Sequence, residues 1–201
     1  MPFRLTAEAP PCPAHERLAA LARRRDQLVD ARAIERKHLA DAFDPAIRAD
    51  IQAMITILGE RIASIEAEID AQMKSGDLAR QALRFTSAPG VGKVTALTLL
   101  AHMPELGSLS PKSAASLAGL APFNDDSGKR SGRRRIKGGR PRVRKALYMA
   151  ALGAIRASPR LRAFHEAVKA RTGAAKAGII AVARKLLTIL NAIQRDNKDF
   201  A

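Results

Sequence analysis

The sequence has one cysteine (Cys12), one tyrosine, six phenylalanines and no tryptophan in 201 residues. A lone thiol can close no intramolecular disulfide and build no multi-cysteine zinc site, which points to a reducing, cytoplasmic setting. Few aromatics beside abundant Ala, Leu, Ile and Arg exclude a large β-sheet and predict an all-α fold. No uninterrupted apolar run approaches the roughly 18 residues of a membrane span, and the opening MPFRLTAEAPPCPAHE lacks the apolar core of a signal peptide, so no membrane partner is expected. Acids are scarce as well: 19 Asp+Glu stand against 35 Lys+Arg, a net charge of +16. That balance argues against a neutral metabolic enzyme, while 47% hydrophobic residues supply a core and exclude wholesale disorder.

The excess charge is confined to one part of the chain. Residues 1–86 hold 13 basic and 13 acidic residues, whereas the remainder holds 22 basic and 6 acidic. Within that remainder KRSGRRRIKGGRPRVRK, residues 129–145, carries ten cations and no acid. Ten like charges in so short a stretch repel one another unless a polyanion faces them, which favours nucleic acid as the partner.

Three regions follow from the punctuation. Residues 1–14 carry four prolines and form an irregular lead-in. Residues 15–76 read as an antiparallel helical hairpin, a coiled-coil arm or dimerisation surface. Its first helix carries Leu18, Leu21, Leu28 and Leu39 with Arg25, Arg32 and Glu35 at intervening seam sites. Its second begins at an Asp44 cap with Pro45 and carries the stripe Ile47, Ile51, Met54, Leu58, Ile62, Ile65 and Ile69. Ser75-Gly76 breaks the pattern, and residues 77–201 form a helical domain. Its predicted helices cover about 77–85, 94–102, 111–117, 141–157, 159–170 and 174–194, with a glycine-rich, charged loop over 119–139.

Two constellations carry chemistry. Pro89-Gly90-Val91-Gly92 between two helices has the form of a helix-hairpin-helix turn. Gly90 and Gly92 would let a phosphate approach the backbone, the N–H groups opening the next helix would face it, and Lys93 would add a charge. The GxxxxGK[ST] spacing of a nucleotide-binding loop is absent. The second constellation runs from Asp125 to Tyr148. Ser127 and Ser131 are both candidate nucleophiles on a glycine-flanked loop, with Arg130, Arg133, Arg134, Arg135, Lys137 and Arg140 available to neutralise or position phosphates. Tyr148 falls among helical apolar residues and reads as packing. Asp125 and Asp126 are adjacent with no third carboxylate, and His15, His38, His102 and His165 lack ligand spacing, so no metal or cofactor is expected to bind this chain.

The run SAPGVGKVTALTLLAHMPELGSLSPKSAASLAGLAPFNDDSGKRSGRRRIKGGRPRVRKALYMAALGAIR resembles the C-terminal domain of insertion-sequence transposases of the IS one-ten group, with the likeness spanning about 80–195. It includes the PGVG turn, AGLAP before the loop, the SG pair, the GGR segment and RKALYMAAL. The resemblance implies a DNA recombinase whose loop serine joins covalently to DNA, and the SG following AGLAP places that role on Ser127. It implies further that residues 15–74 are an arm between two catalytic domains, and that a structured guide RNA is a partner. Divalent metal is expected only through an acidic RuvC-like domain of which this chain shows no counterpart. The alternative is a non-catalytic nucleic-acid-binding module, or a fragment that dimerises through the hairpin.

Overall fold

The structure, a computed structural model, describes residues 13–74, 76–123, 135–136 and 138–200, and the chain divides into two compact units, 1–74 and 75–201. The lead-in with Cys12, apart from Pro13 and Ala14, lies outside the described residues.

The first unit consists of α1 (Pro13–Asp41) and α2 (Pro45–Gln72). Asp44 caps α2: its carboxylate accepts from the amides of Ala46 at 2.8 Å and Ile47 at 3.0 Å, and Pro45 supplies a pre-set first helical residue. Arg48 closes the other side of the turn, donating to the carbonyls of Leu39 at 2.9 Å and Ala42 at 2.7 Å at the end of α1. The helices run antiparallel, with Arg25 Nε donating to Glu66 at 2.7 Å. Leu18, Ala22 and Leu28 of α1 and Ile62 and Ile69 of α2 are buried. The stripe on α2 therefore divides. Towards the turn Ile47 and Met54 are exposed, as are Ile34, Ile57 and Phe43, the last 95% exposed. Farther along the pair the Arg32 guanidinium lies over Gly59, 3.8 Å from where a Cβ would stand.

The second unit contains α3 (Gly76–Ser87), α4 (Lys93–His102), α5 (Pro111–Leu117), β1 (Pro122–Phe123), β2 (Arg135–Ile136), α6 (Pro141–Ala157), α7 (Pro159–Thr172) and α8 (Ala175–Asp196). Proline opens α5, α6 and α7, and serine hydroxyls cap two of them: Ser110 accepts from the Ser113 amide at 3.1 Å and Ser158 from the Leu161 amide at 3.4 Å. Gly173, at φ +69°, ends α7 in the left-handed region. Among the described residues the architecture is all-α apart from β1 and β2, a two-residue antiparallel pair with Pro122 opposite Ile136 and Phe123 opposite Arg135. The segment 119–139 was expected to be loop throughout; this pairing is the difference.

Helix α8 is central, packing on α3, α5, α6 and α7. By length and composition it could cross a membrane, but Val182, Ala183, Leu186, Leu187 and Leu190 are buried in this core beside Phe85, Leu99, Met103, Val143 and Leu147. One buried polar side chain organises the end of α8. Asn191 accepts from the Gly107 amide at 2.8 Å and donates to the Leu109 carbonyl at 2.8 Å, satisfying a turn that would otherwise bury two unpaired backbone groups.

Candidate nucleic-acid interface

The turn between α3 and α4 is built by a single bend. The Val91 amide donates to the Ala88 carbonyl at 3.1 Å, with Gly90 at φ +76° and the side chains of Ala88 and Val91 buried. A Cβ on Gly90 would lie 2.2 Å from the amide nitrogen of Ala154 and 2.4 Å from the carbonyl of Ala150. Gly90 is thus required by its packing on α6, and its bare face is turned to that helix rather than to a phosphate. Gly153 is the counterpart on α6, where an added Cβ would sit 3.1 Å from Gly90 Cα. It was missed in the sequence, although its place in an Ala-rich helix is a signal of close packing. Gly92 differs: it is exposed, a Cβ there would meet nothing within 4 Å, and it begins α4 without a side-chain cap. Lys93 follows it, exposed, so the uncapped amides and one cation share this helix start.

The second locus is the base of the charged loop. Gly119 (φ +68°) and Gly139 (φ +65°) meet backbone to backbone: a Cβ on Gly139 would lie 2.3 Å from the Gly119 nitrogen, and one on Gly119 would lie 2.4 Å from the Gly138 carbonyl. The Arg140 amide donates to the Leu117 carbonyl at 2.8 Å, and Arg144 donates to the Gly138 carbonyl at 2.6 Å. The two ends of the loop are therefore tied together before β1 and β2 pair.

Arg140 is placed differently from its expected role as a phosphate contact. Its guanidinium forms a two-pronged pair with Glu105, at 2.7 and 2.6 Å, and donates to the His102 carbonyl at 2.8 Å at the end of α4. The geometry matches the electrostatics. Hydrogen bonding from Arg140 holds the Glu105 carboxyl below its ordinary value, against an opposing effect of partial burial, and Arg140 is raised in turn by the same bond. Glu105 and Arg144 went unnoticed in the sequence. For Glu105 the available signal is its rarity, as one of six acids in the strongly basic part.

Arg135 contributes its backbone to β2. Ser127, Ser131, Asp125, Asp126, Arg130, Arg133, Arg134 and Lys137 lie outside the described residues. Tyr148 is half-buried on α6, and His165 is buried, with its ring nitrogens near Glu166 at 3.0 Å and the Ala175 carbonyl at 3.3 Å. Among the described residues no three His, Cys, Asp or Glu side chains gather as a metal ion would require.

An uncapped helix start and a cation-rich segment share this helical unit, and the same unit carries a match to a known family. The family described as Transposase IS116/IS110/IS902 matches residues 82–166, and through that segment the chain belongs to the IS110 transposase group. It is 30% identical over 149 residues to the insertion element IS110 uncharacterized 43.6 kDa protein of Streptomyces coelicolor, an alignment covering 73% of this chain and 36% of that protein. It is 28% identical over 164 residues to the insertion element IS900 uncharacterized 42 kDa protein of Mycobacterium paratuberculosis, covering 80% and 39%. Against the pilin gene-inverting protein of Moraxella bovis it is 34% identical over 128 residues, covering 62% and 40%. The chain thus matches about two fifths of the length of these relatives.

The Glu105–Arg140 pair yields a pH prediction. Because Glu105 titrates lower in the folded than in the unfolded chain, its contribution is fully present above the ordinary value of 4.5 and is lost as pH falls through the folded-state value. In urea unfolding, Glu105→Gln should be less stable than wild type by about 1 kcal/mol near neutral pH, the pair being partly exposed. That gap should shrink as the solution is acidified through and below the ordinary carboxylate range. A gap independent of pH would show that the carboxylate charge does not hold the pair.

Proposed function

We propose that this chain is the nucleic-acid-binding and serine-bearing part of an insertion-sequence transposase. The observation carrying the proposal is the family match at 82–166, which spans both the PGVG turn and the whole cation-rich loop. DNA is the substrate, held at the start of α4 by the Gly92 and Lys93 backbone and the Lys93 ammonium. Gly90 shapes that turn. Ser127 is the nucleophile, and Arg130, Arg133, Arg134, Arg135 and Lys137 offset charge on the phosphate as it becomes five-coordinate. The serine oxygen bonds to phosphorus, a deoxyribose oxygen departs with a proton, and the serine hydroxyl has lost one. Attack by the hydroxyl of a second strand reverses the sequence, freeing the serine and joining the strands. Arg140 acts as a positioning residue at the loop base. A structured RNA joins donor and target, and the divalent-metal chemistry belongs to acidic residues outside this chain's described units. The setting is cytoplasmic.

Covalent trapping tests the serine role. Labelled insertion-end DNA, incubated with the chain, divalent metal and the candidate RNA, should give a denaturation-resistant protein–DNA adduct that Ser127→Ala abolishes while keeping salt-dependent DNA binding. An adduct of equal yield in Ser127→Ala would exclude Ser127 as the nucleophile. Binding without any adduct in either protein favours the non-catalytic alternative.

A second reading concerns the first unit and rests on Phe43, Ile47, Met54 and Ile57, which stay exposed near the hairpin turn. We propose that this patch joins two copies of the chain. Sedimentation should show dimers for wild type and monomers for Ile47→Glu/Met54→Glu, with helicity unchanged because neither side chain is buried in the hairpin. Monomeric wild type at high micromolar concentration would exclude self-association through this surface.

A further inference from the structure

Helix α8 has a second face that the core does not use. Ala177, Ile180, Ala181, Arg184 and Thr188 recur at intervals of three and four residues and line one wall of an open groove of about 740 Å³. Leu120 and Phe164 contribute the apolar part of the opposite wall. Lys176, Arg184 and Lys185 bring three cations to the groove, and among the described residues no carboxylate lines it. Lys185 lies over the Phe164 ring, 4.9 Å from its centroid, so ammonium and aromatic face are held as a unit. Neither Lys176 nor Arg184 has an ion-pair partner among the described residues.

The groove borders the strand pair above the loop base. Pro122 of β1 and Ile136 of β2 form part of its wall, so the strand pair that closes the charged loop also borders the groove. Charge complementarity selects a polyanion, and the apolar floor selects its form. A duplex offers sugars and phosphates to a protein surface and keeps its base faces stacked, so it cannot fill an apolar recess. An unpaired strand can set a base face on the floor while its phosphates meet the rim.

We propose that the groove between α8 and the β1–β2 pair is a platform for an unpaired nucleic-acid strand, with a base against Ile180 and Ile136 and phosphates at Lys176 and Arg184, beside the Lys185–Phe164 pair. The inference rests on nucleic acid being the partner of this chain, but it assigns a separate place and a separate strand form. The α8 wall lies beyond the family-matched residues 82–166. A strand held on this platform would lie beside the β1–β2 pair that closes the charged loop.

The test uses the full chain and two fluorescent probes, a single-stranded oligothymidine and a duplex hairpin of equal phosphate number, read by anisotropy. Ala181→Glu puts a carboxylate on the apolar floor, and Lys176→Gln/Arg184→Gln removes rim charge from exposed positions where folding is insensitive. Both variants should weaken oligothymidine binding about tenfold. Duplex binding should stay within about twofold for Ala181→Glu. Wild-type binding of oligothymidine that neither variant weakens, or equal losses on both probes with Ala181→Glu, would overturn the groove and leave DNA binding by the chain intact. Groove-dependent binding of oligothymidine without duplex binding would support the groove and count against duplex contact at α4. Binding of neither probe by wild type would overturn both. Groove-dependent binding of an acidic amphipathic peptide, with oligothymidine unaffected by the variants, would assign the groove to a protein partner and overturn the inference.

Discussion

Gly119 and Gly139 approach so closely that neither has room for a Cβ, and the organisation of the basic half depends on that contact. The segment it closes contains most of a tract of ten cations, whose mutual repulsion favours spreading apart. Closing such a segment also costs loop entropy, and two left-handed glycines add to that cost because they surrender more backbone freedom than other residues. Among the described residues the opposing interactions lie at the base. They comprise the Arg140 amide on Leu117, Arg144 on the Gly138 carbonyl, the Arg140 guanidinium on Glu105 and His102, and the pairing of β1 with β2. Two arginines of a tract that sequence assigns to phosphates thus serve the protein's own backbone, and the surplus of cations makes this possible.

That base is anchored to the most buried part of the second unit. Arg140 and Pro141 open α6, whose Val143, Leu147, Ala150 and Ala154 are buried, and the same α6 receives the Gly90 turn against Ala150 and Ala154. The helix start at Lys93 and the loop base at Arg140 are therefore both positioned by one helix. A strain or shift in α6 would be felt at each of them, which gives a physical basis for treating turn and loop as one interface. On the other side α8 supplies the core stripe of Leu186, Leu187 and Leu190, and its outer face supplies the cationic groove.

Local rules made the helix starts legible. Asp44-Pro45, Ser110-Pro111, Arg140-Pro141 and Ser158-Pro159 each pair a helix-entry residue with a proline that fixes the first turn, and Gly173 marks an end. The basic tract, the PGVG turn and the resemblance to insertion-sequence transposases were visible for the same reason, because each is carried by contiguous residues. What escaped depends on partners distant in sequence. Glu105 meets Arg140 across 35 positions, and Gly90 meets Gly153 across a helix crossing that no periodicity encodes. The stripe on α2 shows where apolar side chains lie, but not that Ile47 and Met54 stay uncovered while Ile62 and Ile69 are buried, since that depends on how α1 covers each position. Ser127, the proposed nucleophile, rests on a contiguous motif and the resemblance that motif carries, and it lies outside the described residues.

The dependence of the loop base on the glycine contact can be measured by amide hydrogen exchange in wild type and Gly139→Ala. Loss of protection is expected at the Arg140 amide and across β1 and β2, with protection retained at the buried positions of α8 such as Leu186 and Leu190. Unchanged protection at Arg140 in Gly139→Ala would contradict the claim that this backbone contact holds the charged segment closed.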